Sequence, residues 1–187
     1  MLFLLALRNL TVVLSFFVPL CLWFNLGKMR RGVCCNASVV SLYVPNRNPV
    51  RNQFLEQLAD EVDPSILTLL CGDFNTVFDC NLDCSGSDSS DTWRESLAAL
   101  TTLFESCCCI DAWRYLHPTF AGFSWTRSDG SMSSRIDLIG CPYIWVSSTS
   151  SCDFVFCPYS DRCALLFSVF VPGIVPPRDN PFFFVLA

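Results

Sequence analysis

Four short polar clusters interrupt a strongly apolar chain: Tyr43 with Asn46, Asp73 with Asn75, Asp137 after Arg135, and Ser160 with Asp161. Each stands at the end of a segment that reads as a buried strand. Polar groups at the ends of buried strands gather at one rim of a sheet sandwich, where sites are usually built. The chemistry on offer is that of carboxylates, amides and guanidinium groups. Asp161 is followed by Arg162, whose guanidinium has a pKa above about 12 and so acts as a fixed cation, not as a proton carrier. Taken singly, each cluster also has an ordinary reading. Gly72-Asp73-Phe74-Asn75 fits an Asx turn, and Asp161-Arg162 fits a solvated pair at a strand entrance.

The chain has 187 residues, of which 52% are hydrophobic and 16% charged, a balance that excludes disorder and is large enough for one domain with its own core. A net charge of −5 offers no broad basic surface. That excludes a strong sequence-independent grip on a nucleic-acid backbone and leaves room for a local basic groove. The 13 cysteines include no C-x-x-C spacing and His117 is the single histidine, so zinc is disfavoured. Most of the cysteines read as small buried apolar residues in a reducing compartment.

The elements that must position the clusters follow from the apolar pattern. Residues 2–26 are almost wholly apolar, interrupted by Arg8 and Asn9 and followed by Lys28, Arg30 and Arg31. Two readings of this segment stand: a transmembrane helix whose basic flank keeps the rest of the chain cytoplasmic, or sequence unrelated to the following domain. Ser38 to Val44 reads as a strand, and Asn48-Pro49 opens a helix with Phe54, Leu55, Leu58 and Val62 on one face. Ile66 to Asn75 is a continuous apolar run, which implies a strand buried on both faces. A loop between Phe78 and Ser90 leads to a capping box of Thr92 and Glu95 and a helix carrying Trp93, Leu97, Leu100, Phe104 and Cys107. The segments around Asp129-Gly130 read as a hairpin in which Ile136 and Leu138 alternate with Arg135 and Asp137. Two more strands follow, and Pro172 with Pro176-Pro177 closes the domain. The expected organisation is an apolar segment over 1–27, a domain over 33–172 and a tail over 173–187. Helices between strands, then hairpins, predict two packed sheets covered by helices, an α/β or α+β sandwich.

The motifs YVPN, LLCGDFN, SRIDLI and PYSD occur in the order and approximate spacing of the endonuclease/exonuclease/phosphatase superfamily. The wording around RNPVRNQFLEQL, WRYLHP and SRIDLIGCPYIW most resembles the endonuclease domain of LINE-type non-long-terminal-repeat retrotransposons, over roughly residues 38–172. The resemblance implies an incomplete four-layer α/β/β/α sandwich, a DNA partner and Mg2+. It also implies roles for individual residues. Asp73 would position or deprotonate the attacking water, and Asn75 would hydrogen-bond the scissile phosphate. Tyr43 and Asn46 would contact the phosphate and backbone, and Ser124 would line the substrate groove. Asp161 would hold the metal through oxygen ligands that suit a hard cation, and Asp137 would orient a histidine.

The residue where that histidine belongs is Arg162. The family also needs a metal-binding glutamate on one of two strands before YVPN, yet the first glutamate here is Glu56 and the first aspartate Asp60. Those two strands are expected to be absent. The implied function is a Mg2+-dependent DNA phosphodiester hydrolase with activity absent or severely reduced. The alternative is a non-catalytic, membrane-tethered relic or binding module. His117 reads as structural or solvent-facing.

Overall fold

The computed structural model describes residues 2–7, 10–15, 20–25, 37–86, 91–156, 160–169 and 182–186. In chain order the elements are β1 (Leu2–Leu7), β2 (Leu10–Ser15), β3 (Leu20–Asn25), β4 (Ala37–Tyr43), α1 (Val50–Glu61), β5 (Leu67–Asp73), α2 (Cys80–Asp83), β6 (Cys84–Ser85) and α3 (Asp91–Ser106). There follow β7 (Cys109–Asp111), α4 (Ala112–Leu116), β8 (Trp125–Thr126), β9 (Ser133–Ser134), β10 (Asp137–Pro142), α5 (Tyr143–Val146), β11 (Thr149–Phe156), β12 (Cys163–Val169) and β13 (Phe182–Leu186). They form two large sheets, ordered β11-β12-β13-β1-β2 and β3-β4-β5-β10-β7, and a small one ordered β6-β9-β8.

The apolar run of β5 behaves as a strand covered on both sides. Leu69 and Cys71 join Ala37, Val39, Ile139 and Cys141, and this face packs on Cys152, Leu165, Phe167 and Val169 of the other large sheet. Leu70, with Val40, Leu42 and Leu138, turns the opposite way onto Leu55 and Leu58 of α1 and Leu100, Leu103 and Phe104 of α3. Side chains alternate at period two along each strand, so one continuous apolar sequence serves an inter-sheet core and a sheet–helix core together.

The apolar amino-terminal segment is extended, where a transmembrane helix was one of its two expected readings. Residues 2–7, 10–15 and 20–25 are strands, and no helix among the described residues is long and apolar enough to cross a membrane. A proline at position 19 disfavours a single helix through this segment, and Thr11-Val12-Val13 is β-branched. Three strands thus precede YVPN. β3 pairs antiparallel with β4, and β1 pairs with β2 and β13. None of the three carries an acidic residue.

Three local expectations also shift. The loop after Phe78 contains α2, capped by the Asp79 carboxylate, which accepts the Asn81 backbone N–H. α3 begins at Asp91, so Thr92 lies inside it, and the side chains of Thr92 and Glu95 fall outside the described ones. The hairpin pairs only β8 with β9 before the chain crosses into the large sheet as β10. Arg135, Ile136, Asp137 and Leu138 are all buried, so the expected polar face is absent: both charged side chains are paired inside the protein.

β4 and β5 run parallel, with Leu42 opposite Gly72. A Cβ on Gly72 would lie 1.9 Å from the Leu42 carbonyl oxygen, and its φ of +142° is one that other residues rarely adopt. Gly72→Ala is expected to lower unfolding free energy by about 1–3 kcal/mol or more. Urea denaturation reads this directly, and an unchanged midpoint would show that the close approach carries no cost.

Candidate functional site

The ends of β4, β5 and β10 meet at one rim because their registers align. Tyr43 is the partner of Asp73 in the parallel pair, and Asp73 is the partner of Asp137 in the antiparallel one. Opposed residues of an antiparallel pair share a face, so the two carboxylates are neighbours. Both are buried, Asp73 completely.

Arg162 approaches them from the other large sheet, at the start of β12. Its Nη2 lies 2.8 Å from Asp73 Oδ2 and its Nη1 3.2 Å from Asp137 Oδ2. The first contact is an ion pair without hydrogen-bond alignment, since Asp73 Oδ2 has no aligned donor. Nη1 also donates to Asp137 Oδ1 at 3.3 Å. Backbone ties fix the approach: Thr126 N–H donates to the Asp161 carbonyl and Cys163 N–H to the Ser124 carbonyl, at 3.1 and 2.7 Å. Burial alone would weaken the charge on Arg162, but Asp137, Asp73 and Asp161 outweigh it and hold the guanidinium protonated.

The remaining expected residues divide between the rim and its support. Asn75 closes an Asx turn, its N–H donating to Asp73 Oδ1 at 2.9 Å, while its amide donates to the Val44 carbonyl at 2.6 Å. Gly-Asp-Phe-Asn thus forms the Asx turn of its ordinary reading, at the rim. Ser124 departs from its expected place in a groove. It is buried, and its Oγ accepts the backbone N–H groups of Ile136 and Asp137 at 3.1 and 3.0 Å. Asp161 is exposed, and its Oδ2 accepts the Trp125 indole N–H at 3.0 Å. Asn46 is exposed, and its carbonyl, with that of Pro45, is held by the buried Arg51 guanidinium.

Arg135 is turned into the core. It is fully buried and pairs with Asp83 at 2.8 Å and Asp111 at 2.7 Å, while Arg114 adds a further contact to Asp83. The sequence conceals this network because Asp83 sits in a stretch that scans as a polar loop. Its one legible signal is Asp111 immediately before Ala112 and the WRYL turn, where the carboxylate caps α4 by accepting Arg114 N–H. His117 stays apart from the rim, stacked on Trp113 with its Nε2 3.3 Å from the Cys152 carbonyl.

The residues present do not fit the magnesium site that the resemblance implies. Among the described residues, no group of three or more His, Cys, Asp or Glu side chains is arranged to hold a metal ion. Asp161 brings one carboxylate and the upstream strands bring none, whereas a hard cation needs several oxygen ligands. Asp73 and Asp137 already face a guanidinium.

With that geometry, solved structures of similar architecture are found. The AP endonuclease of Archaeoglobus fulgidus superposes with a TM-score of 0.62 at 19% identity, covering 72% of this chain and 62% of that one. A 3′ phosphatase (NExo) from Neisseria gives 0.58 at 18%, covering 72% and 62%. The catalytic domain of Xenopus laevis APE2 gives 0.52 at 19%, covering 90% and 54%. The fold is of the endonuclease/exonuclease/phosphatase type. The chain spans about three-fifths of the length of the first two structures. No protein-family model and no curated protein matches the sequence.

The rim's charge imbalance has a measurable consequence. Burial first, and the Asp137 carboxylate second, push Asp73 up to about 7 against the pull of Arg162. Burial likewise pushes Asp137 up, against Arg162 and the Ser124 hydroxyl. One guanidinium faces two carboxylates, so the pair takes up a proton readily. A carboxyl raised on folding contributes stability that is complete below its unfolded pKa and lost as pH rises through the folded one. Unfolding free energy carried by the rim is therefore expected to fall from about pH 4 to about pH 7. Asp73→Asn should flatten that slope, and denaturation curves at three pH values compare the two proteins. Equal slopes would show that the rim is not the source.

Proposed function

We propose that the chain carries the fold of a DNA phosphodiester hydrolase of LINE-type retroelement descent, with its hydrolytic activity absent or severely reduced. The ancestral assignment gives Asp73 the attacking water, Asn75 the phosphate, Tyr43 and Asn46 backbone contacts, and Asp161 a metal ligand. The motif order supports this descent, and the structural neighbours named for endonuclease and phosphatase activity support the reaction class.

The observation that carries the loss is the position of Arg162 between Asp73 and Asp137. Asp73 has a raised pKa of the kind that suits a general base. Its oxygens are nevertheless committed, Oδ1 to the Asn75 N–H and Oδ2 to Arg162, and the side chain is closed to solvent. A water molecule has no route to it in this arrangement. Guanidinium cannot relay a proton near neutral pH, and losing a general acid or base removes about 10²- to 10⁴-fold in rate. No acidic residue stands on β1, β2 or β3 to serve as a further metal ligand. The fixed positive charge of Arg162 still attracts a phosphate, so weak DNA binding without cleavage is consistent with the same geometry.

A plasmid-nicking assay on the full chain in about 5 mM Mg2+, a typical level for a hard, weakly held cation, tests the reading. Wild type and Asp73→Ala are expected to be indistinguishable. Robust Mg2+-dependent nicking by wild type that disappears in Asp73→Ala would overturn it.

A further inference from the structure

Among the described residues, Cys71, Cys107, Cys141 and Cys152 are buried in the two cores, and Cys109 directs its thiol to the Thr68 and Gly140 carbonyls at 3.0 and 3.5 Å. Cys80 and Cys84 differ. Both are half-buried, neither is bridged, and they flank the single turn of α2, four residues apart. Residues at that spacing share a helix face, and here the two thiols are in hydrogen-bonding contact. Reciprocal bonds hold the turn in this shape: the Asp83 N–H donates to the Asp79 carbonyl at 2.7 Å, and the Asp79 N–H to Asp83 Oδ2 at 3.2 Å. Cys84 then leaves the helix in extended backbone, with φ −131° and ψ 146°, and pairs with Ser134 of β9.

We propose that Cys80 and Cys84 form a dithiol exchange site, which a small-molecule disulfide converts to an intramolecular bridge that locks the turn carrying Asp83. Cβ atoms four residues apart on a helix lie about 5–6 Å from one another, and a disulfide needs about 3.5–4.5 Å. Rotation of Cys84, which stands outside the helix, closes that gap. Burial first, then the neighbouring Cys80 and Asp83, push the Cys84 thiol up to about 12, so Cys80 is the attacking group. Its thiolate attacks one sulfur of the small disulfide, whose S–S bond breaks and releases one small thiolate. Cys84 gives its proton to that thiolate and attacks the Cys80 sulfur, expelling the second. Two cysteine thiols are oxidised, and one disulfide is reduced to two thiols. The consequence for the protein is structural. Asp83 holds Arg135 at 2.8 and 3.0 Å, so the bridge stiffens the buried network behind β10. The site rests on this turn alone and not on the loss of hydrolysis proposed above.

Incubating the full chain with excess glutathione disulfide, alkylating the remaining thiols and weighing the unreduced peptide that spans residues 80–84 tests it. In wild type this peptide should be two hydrogens lighter and unalkylated at both cysteines. Cys84→Ser should retain glutathione on Cys80, because no second thiol is in place to expel it, whereas Cys80→Ser should leave Cys84 open to alkylation. Oxidised wild type should also melt about 2–6 °C above its reduced form. Cys84→Ser treated in the same way should lose most of that gain. The proposal is overturned if both cysteines of wild type are alkylated, if either is bridged to a cysteine elsewhere, or if Cys84→Ser does not retain glutathione on Cys80. An oxidised form that melts no higher than the reduced one would overturn the locking of the turn.

Discussion

Two buried carboxylates on adjacent strands are tolerable only with a counter-charge close to both, because each ion taken from water costs several kcal/mol. Asp73 and Asp137 stand in that position, and the counter-charge comes from Arg162, on the other large sheet. Placing it there requires the start of β12 to lie against the β8 region, which the backbone bonds of Thr126 and Cys163 and the Trp125 indole accomplish. The ion triad thereby pins the two sheets to one another at the rim. Changing the guanidinium alters a joint of the fold as well as the character of the site.

A second buried charge network supports the first from behind. Arg135 draws Asp83 and Asp111 inward, and its own N–H donates to the Asp83 carbonyl at 2.8 Å. Two residues later the chain enters the large sheet at Asp137, with Ser124 capping the backbone between. The guanidinium also lies 5.1 Å from the Trp113 ring, so α4 is tied to the same point. Breaking such a pair by removing one partner leaves an uncompensated charge and is strongly destabilising. The position of Asp137 therefore depends on residues from several separate stretches of chain.

The architecture and the chemistry part company at this rim. Two sheets packed face to face, with α1 and α3 over one of them, bring strand ends together whatever residues occupy those ends. Function lives in the residues placed there. In this sequence the strand ends present a buried ion triad in which one guanidinium faces two carboxylates.

Much of this is legible from residue order. The continuous apolar run of β5, the faces of α1 and α3 and the four polar strand ends follow from periodicity and from local turn chemistry, because those depend on near neighbours in the chain. The amino-terminal segment misleads for the complementary reason: an all-apolar stretch reads alike as a helix and as strands, and only its pairing with β4 and β13 separates the two. The sequence by itself determined which side chains carry charge, that Arg162 stands where a histidine was expected, and that no acid precedes Glu56. Only the tertiary structure decided that Asp73 faces Asp137, that Ser124 serves the backbone, and that Arg135 belongs to Asp83 and Asp111. Cross-strand register and burial are set by contacts between residues tens of positions apart, and no local pattern encodes them.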